Sequence, residues 1–146
     1  MTKTIRNIFV QGPIEPEFIS DSIKKHQSKR MIGGHSIFLG QVRQDVKSEG
    51  TVESIEFTAY EPMALEYAHR IKEETIQKFE LSCMHIHHSL GRIPAGQICL
   101  FVFTSSVHRR NAIDACDEVV ERIKSELPIW GREIFGDDQS MWKENQ

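Results

Sequence analysis

Cysteine is scarce in this chain of 146 residues: Cys83, Cys99 and Cys116 are all there are. Their number is odd, their spacing is wide and no two form a CxxC pair. That excludes a disulfide framework, a zinc knuckle and a thioredoxin-type redox motif. Each lies in an apolar run, so three plain buried thiols are expected. Long apolar runs are missing too, none approaching the roughly 20 residues of a membrane span. The first residues lack the apolar core of a signal peptide, so the expected location is cytoplasmic. Charge of one sign is not in excess: the net charge is −3 and the pI about 6.2. Bulk electrostatics therefore give no attraction to nucleic acid, and any basic site has to be a local cluster. There is no P-loop, no GxGxxG and no nucleophile elbow.

What is present fits a soluble globular protein, with 27% charged and 39% hydrophobic residues. The length suits a single domain over 1–146, large enough to hold together without a disulfide or metal staple. Alternating apolar residues predict strands over Thr4–Val10, His35–Arg43, Thr51–Tyr60, Cys83–Leu90, Ile98–Thr104 and Ile129–Phe135. Helical spacing predicts Glu15–His26, Glu61–Glu80 and a long helix from about Val107 to Glu126. The second helix, opened by Pro62 in its first turn, is expected to bury Met63, Tyr67, Ile71 and Phe79. The third is expected to bury Ala112, Ala115, Cys116, Val119, Val120, Ile123 and Leu127, and to stop at Pro128. Gln44–Gly50 reads as a loop, Arg92–Gly96 as a turn, and Gly136–Gln146 as a polar tail anchored by Trp142, with a solvated turn at Asp137-Asp138. Strand pairs without an intervening helix point to antiparallel hairpins, hence an α+β fold rather than a doubly wound sheet.

The third helix carries the chemistry. His108, Arg109 and Arg110 sit at its start, where about half a positive elementary charge already resides. Cations there are misplaced unless an anion binds, and with Ser105 or Ser106 as cap the free N–H groups would help hold phosphate or carboxylate. The plain alternative is a solvated helix start whose arginines pair with Asp114 or Asp117. Lys124, in the last turn, lies about 40° around the helix from Val120. At the margin of the apolar stripe it is either a partly desolvated, reactive amine or a lysine that merely complements the helix dipole. Arg109 and Lys124 are 15 residues apart, or about 22 Å along a helix. Both can touch one small ligand only if a second copy of the chain completes the site. Arg43, closing its strand, is placed to face a cleft or is a surface arginine. His85 and His87 share a strand face and His88 points away. With no carboxylate at useful spacing nearby, no metal is expected.

Five segments taken together resemble the MoaE family, the large catalytic subunit of molybdopterin synthase: FLGQVR (Phe38–Arg43), AYEPMA (Ala59–Ala64), IHHSLGRIPAGQ (Ile86–Gln97), SSVHRRNA (Ser105–Ala112) and IKSELPIWGRE (Ile123–Glu133). The resemblance spans about residues 5–142. It implies an α/β hammerhead-type fold, mostly antiparallel with a long C-terminal helix, and a central homodimer. It also implies a small ubiquitin-like sulfur carrier as partner, whose C-terminal Gly-Gly thiocarboxylate enters the active site. The implied reaction converts cyclic pyranopterin monophosphate (precursor Z) to molybdopterin by installing two dithiolene sulfurs. No resident cofactor, nucleic acid or membrane is involved. Carried over by position, Lys124 would be catalytic. Gln41, Val42, Arg43, His108, Arg109 and the segment Gly131, Arg132 and Glu133 would bind the pterin. One position departs from the family pattern: Gly131 stands where the family usually has a functional lysine. Two alternatives follow, a catalytically impaired homologue that still binds pterin or carrier, and a generic phosphate-ligand domain.

Overall fold

The computed structural model describes residues 6–136 and 140–142. Its elements run β1 (Phe9–Gln11), α1 (Pro16–His26), β2 (Gly34–Gln41), β3 (Val46–Lys47), β4 (Gly50–Ala59), α2 (Glu61–Phe79), β5 (Cys83–Pro94), β6 (Ile98–Ser106), α3 (Arg109–Glu126), β7 (Ile129–Phe135) and β8 (Ser140–Trp142). The strands form one sheet in the order β2-β6-β5-β4-β7-β8, with β1 on β5 and β3 on β4. Among the described residues, only the β1–β5 pair is parallel. The α+β, mostly antiparallel expectation holds.

The backbone of the architecture is β5, read from sequence as ending at Leu90 but running to Pro94. Its first half pairs with β6 and its last four residues with β4. Gly91, at φ +91°, joins the halves. Glycine enters that region freely, so the chain turns there without leaving the sheet. What looked like a strand terminator is a bend, and it divides the sheet into β2-β6-β5-β1 and β5-β4-β7-β8.

Helix α3 packs on β2 and β6. The expected stripe is buried in full: Ala112, Ala115, Cys116, Val119, Val120, Ile123 and Leu127 are each 8% exposed or less. Each fully buried valine or isoleucine contributes about 1.5–3 kcal/mol. Helix α2 differs from expectation. Its buried face is Ala64, Ala68, Ile71 and Thr75, while Tyr67 and Phe79 are half-buried and Met63 is 38% exposed. Small side chains let α2 lie close to its neighbours, and the larger ones cover the flanks of that contact. Gly33 and Gly34 serve another close approach. A Cβ on Gly33 would lie 2.1 Å from the Val107 carbonyl oxygen, and one on Gly34 3.1 Å from Arg109 Cα. Their bare backbone lets β2 begin directly beneath the start of α3.

Other boundaries shift. β1 is shorter than predicted, and the first five residues of the chain are outside the described ones. β2 ends at Gln41, two residues before Arg43, with a register shift between Gly40 and Gln41. The predicted loop Gln44–Gly50 contains β3, which folds back on β4. β6 continues to Ser106, so both serines expected to cap α3 are buried strand residues instead. Trp142 is 60% exposed in β8 and does not anchor the tail. Asp137 and Asp138 lie outside the described residues. Among those described, no helix is long and apolar enough to cross a membrane.

Candidate active site

Where the two halves of the sheet meet, the end of α3 closes over a cavity of about 130 Å³. Its walls come from every element at the junction: Phe38, Gly40 and Gln41 of β2, then Val42; Ile55 and Phe57 of β4; His88 of β5; Cys99 and Leu100 of β6; Ile129 and Gly131 of β7. Ile123 and Lys124 of α3 complete it. The structure thus gathers Lys124, Gln41, Val42 and Gly131, four expected site residues from segments far apart in sequence. Val42 is fixed at both backbone groups: its N–H donates to the Gln97 carbonyl at 3.0 Å, and its own carbonyl accepts from Gly96 N–H at 2.8 Å. Lys124 itself is exposed, which in this chain fits the lysine complementing the helix dipole rather than the partly desolvated amine.

Two wall residues escaped the sequence reading. His88 is 7% exposed, and its Nδ1 is 2.8 Å from the Ser89 carbonyl oxygen. Burial, with the nearby Lys124 charge adding to it, lowers its pKa to about 4. The ring is therefore neutral near pH 7. With Nδ1–H donated to the carbonyl, Nε2 carries the lone pair. His88 was set aside as the histidine facing away from His85 and His87. It does face away, and the other side of the sheet is the cavity. Phe57 is the second. Its ring meets His88 edge-on at 5.1 Å. A Cβ on Gly131 would come within 3.0 Å of Ile55 Cγ2 and 3.2 Å of Phe57 Cε1. Gly131 thus matches its surroundings: a side chain there must displace that ring.

The rest of 131–133 divides by strand alternation. Arg132 points to the opposite face, where its Nη2 donates to Glu56 Oε1 at 2.6 Å and its buried Nε has no hydrogen-bond partner. Glu133 returns to the Gly131 side. It is 1% exposed, and Oε1 accepts from Lys47 Nζ at 2.6 Å while Oε2 is buried without a partner. Lys47 arrives on β3, so the hairpin missed in sequence supplies the counter-charge of a buried carboxylate. Arg43 is 74% exposed at its side chain and held by Asp45, Nε to Oδ1 at 2.5 Å. Hydrogen bonding to Asp45 raises the Arg43 pKa, as does the more distant Glu133 charge. Arg43 therefore stands at the rim near Glu133 rather than in the cavity wall.

His108 and Arg109 are elsewhere. α3 is continuous from Arg109 to Glu126, which keeps Arg109 about 22 Å from Lys124 along the axis. His108 is the N-cap, in extended conformation and without a side-chain capping bond. Neither the His108 nor the Arg109 side chain has a hydrogen bond or ion pair among the described residues, and both residues are exposed. Arg110, by contrast, lies 3.6 Å from Asp114. The free start of α3 keeps the donors and positive charge that suit an anion.

A lysine at the mouth of an apolar cavity, with an arginine and a buried carboxylate at the rim and a separate cationic helix start, defines a ligand-handling α+β domain rather than a purely structural one. Residues 11–126 match the model of the MoaE protein family, and the chain belongs to that family. It is 35% identical over 120 residues to the molybdopterin synthase catalytic subunit of Bacillus subtilis, covering 82% of this chain and 76% of that one. Of several longer relatives bearing the same name it spans less, 31% of one and 64% of another. Among solved structures, molybdopterin synthase from Staphylococcus aureus superposes with TM-score 0.79 at 30% identity, covering 92% of this chain and 94% of that one. A complex of subunits 1 and 2 of molybdopterin-converting factor from Helicobacter pylori shares the fold, with TM-score 0.80 at 17% identity over 94% of this chain and 90% of that one.

Proposed function

We propose that this chain is the catalytic subunit of a molybdopterin synthase. It transfers sulfur from the C-terminal thiocarboxylate of a small ubiquitin-like carrier to cyclic pyranopterin monophosphate, forming the dithiolene. The observation that carries this reading is Lys124 standing with Gln41, Val42 and Gly131 around one narrow cavity in a chain of the MoaE family. A cavity of about 130 Å³ has room for the end of an extended Gly-Gly backbone. Lys124 supplies a cation beside the incoming thiocarboxylate and a proton donor for the oxygen that leaves as sulfur is installed. The neutral His88 ring offers an acceptor in the same wall. Arg43 and the His108–Arg109 helix start are the phosphate-holding groups.

The separation of about 22 Å between Arg109 and Lys124 requires the two ends of α3 to serve different sites. In a homodimer each site would take Lys124 from one subunit and His108-Arg109 from the other. β2 is an edge strand of the sheet and exposes Ile37 and Leu39, a surface suited to a second copy.

The test is reconstitution. The purified chain, given thiocarboxylated carrier and precursor Z, is expected to form molybdopterin. No product from this chain, with product from its Gly131→Lys variant, would instead establish an impaired homologue. No binding of precursor Z to either the unaltered chain or Arg109→Ala would remove the pterin from the reading.

A further inference from the structure

β5 also faces α1, and a second cluster sits there that the sulfur-transfer reading does not use. His26, the last residue of α1, is buried, and its Nδ1 lies 2.7 Å from the Ser22 carbonyl oxygen one turn back. That bond places the His26 proton on Nδ1 and leaves Nε2 with its lone pair. The His26 Nε2 lies 2.9 Å from Nε2 of His85, 59 positions along the chain. Cys83, buried and two residues before His85, projects from the same face of the strand. One ring nitrogen of each histidine and the Cys83 sulfur all lie within 4.8 Å of one another. Phe103 covers the group, with its ring 4.7 Å from that of His26.

The geometry points to a binding site for one soft divalent cation of the zinc class, held by His26 Nε2, His85 Nε2 and Cys83 Sγ. Two nitrogens facing each other at hydrogen-bond distance hold either one proton or one metal ion between them. Tetrahedral zinc needs N···N edges of roughly 3.3 Å and N···S edges of roughly 3.6 Å. The histidine rings must therefore part by a few tenths of an ångström and the thiol turn inward, both within side-chain rotation. The Nδ1–H bond of His26 to a carbonyl is the outer-sphere contact that orients metal-binding imidazoles. The donor set, two imidazoles and a thiolate with no carboxylate, selects zinc-class ions over calcium or magnesium.

Binding is balanced by one proton. His85 moves its ring proton from Nε2 to Nδ1, the Cys83 thiol releases its proton to solvent, and the cation takes its place. His26 and His85 also line a hollow that contains Arg6, Asp21, Lys25 and Lys29, from which water or an anion would complete the sphere. The cations there, with Lys72 near His85, oppose the incoming charge, and Asp21 offsets part of that opposition. A loaded site would pin the end of α1 to β5, on the face of the sheet opposite Lys124.

Cobalt(II) titration of the untagged, chelator-stripped full chain tests this. One equivalent should bind per chain, with a near-ultraviolet sulfur-to-cobalt charge-transfer band and release of one proton. Cys83→Ser should lose the band, and His85→Gln should weaken binding at least tenfold, while His87→Gln changes neither. Zinc should compete and raise Tm. Absence of the band in the unaltered chain at saturating cobalt overturns the proposal even if a variant misfolds. Survival of the band in Cys83→Ser would also overturn it, by assigning the sulfur to Cys99 or Cys116. Neither result bears on molybdopterin formation, which has its own assay.

Discussion

The two ends of α3 are built in opposite ways. The Lys124 end closes a cavity walled by five strands. The Arg109 end is bare in its side chains: His108 and Arg109 are exposed, no side chain caps the helix, and the Gly33-Gly34 backbone lies directly beneath it. One helix thus carries a site that is structurally prepared and a cationic group that has nothing of its own to act on. The difference teaches that burial and charge were divided between the ends rather than combined at one. A second copy is what would reunite them.

The largest effect is expected at the prepared end. Lys124→Ala should slow molybdopterin formation by about 100- to 1,000-fold, the usual cost of removing a group that stabilises developing charge. The unaltered far-ultraviolet spectrum would separate this from misfolding. A mixing experiment then attacks the comparison directly. A chain carrying Lys124→Ala and one carrying both His108→Ala and Arg109→Ala should each be weak. In hybrid dimers one of the two sites has all its native groups, so an equal mixture should recover about a quarter of native activity. Activity that stays at the parental level would mean that the ends do not meet across a dimer.

The buried end should also be the acid-sensitive one. His88 has a pKa near 4 in the folded chain and about 6.5 when unfolded. Below pH 6.5 the unfolded state binds the extra proton first, so the stabilisation is complete above that pH and is lost as pH falls toward 4. His88 alone accounts for about 3 kcal/mol across that window. His85 and His87, also lowered by burial to about 3 and about 4, add to the same slope. Denaturant melts at pH 7 and pH 4.5 should show His88→Gln flattening the curve, and an unchanged slope would contradict the burial argument. Gly131→Lys should destabilise by about 1–3 kcal/mol through overpacking against Phe57. Combined with Phe57→Ala it should cost less than the two changes separately, by about 1 kcal/mol. Arg109→Ala, at the bare end, should leave Tm unchanged and raise the KM for precursor Z about tenfold, the value of one charge-assisted contact.

Much of this was legible in the residues. The stripe of α3 could be read because seven apolar residues recur at helical spacing on a helix with one buried face. α2 misled because its contact surface is made of Ala64, Ala68 and Thr75, which carry no hydropathy signal, whereas Tyr67 and Phe79 do. Gly91 was read as an end because glycine usually interrupts a strand, and only the backbone angle shows that the strand bends and continues. β3 is two exposed residues and leaves no periodicity to detect. At the site, the resemblance supplied Lys124 and Gly131. It did not supply Phe57, because the ring that fills the space beside Gly131 comes from a strand 74 positions earlier. The His26–Cys83–His85 group was invisible for the same reason: two of its members share a strand, but the third arrives on a helix from the far side of the fold.

The register of β2 on β6 has a consequence for how the molecule comes into being. Gly34 pairs with Ser106 and Gln41 with Ile98, so this ladder joins segments separated by more than fifty residues. Such long-range closure is slow relative to local helix and hairpin formation. Phe38, Gly40 and Gln41 become part of the cavity only when it is complete. A chain refolding from the unfolded state would therefore form α3 with its lysine before it formed the cavity. A pulse of hydrogen exchange during refolding should find the amides of α2 and α3 protected ahead of those in β2.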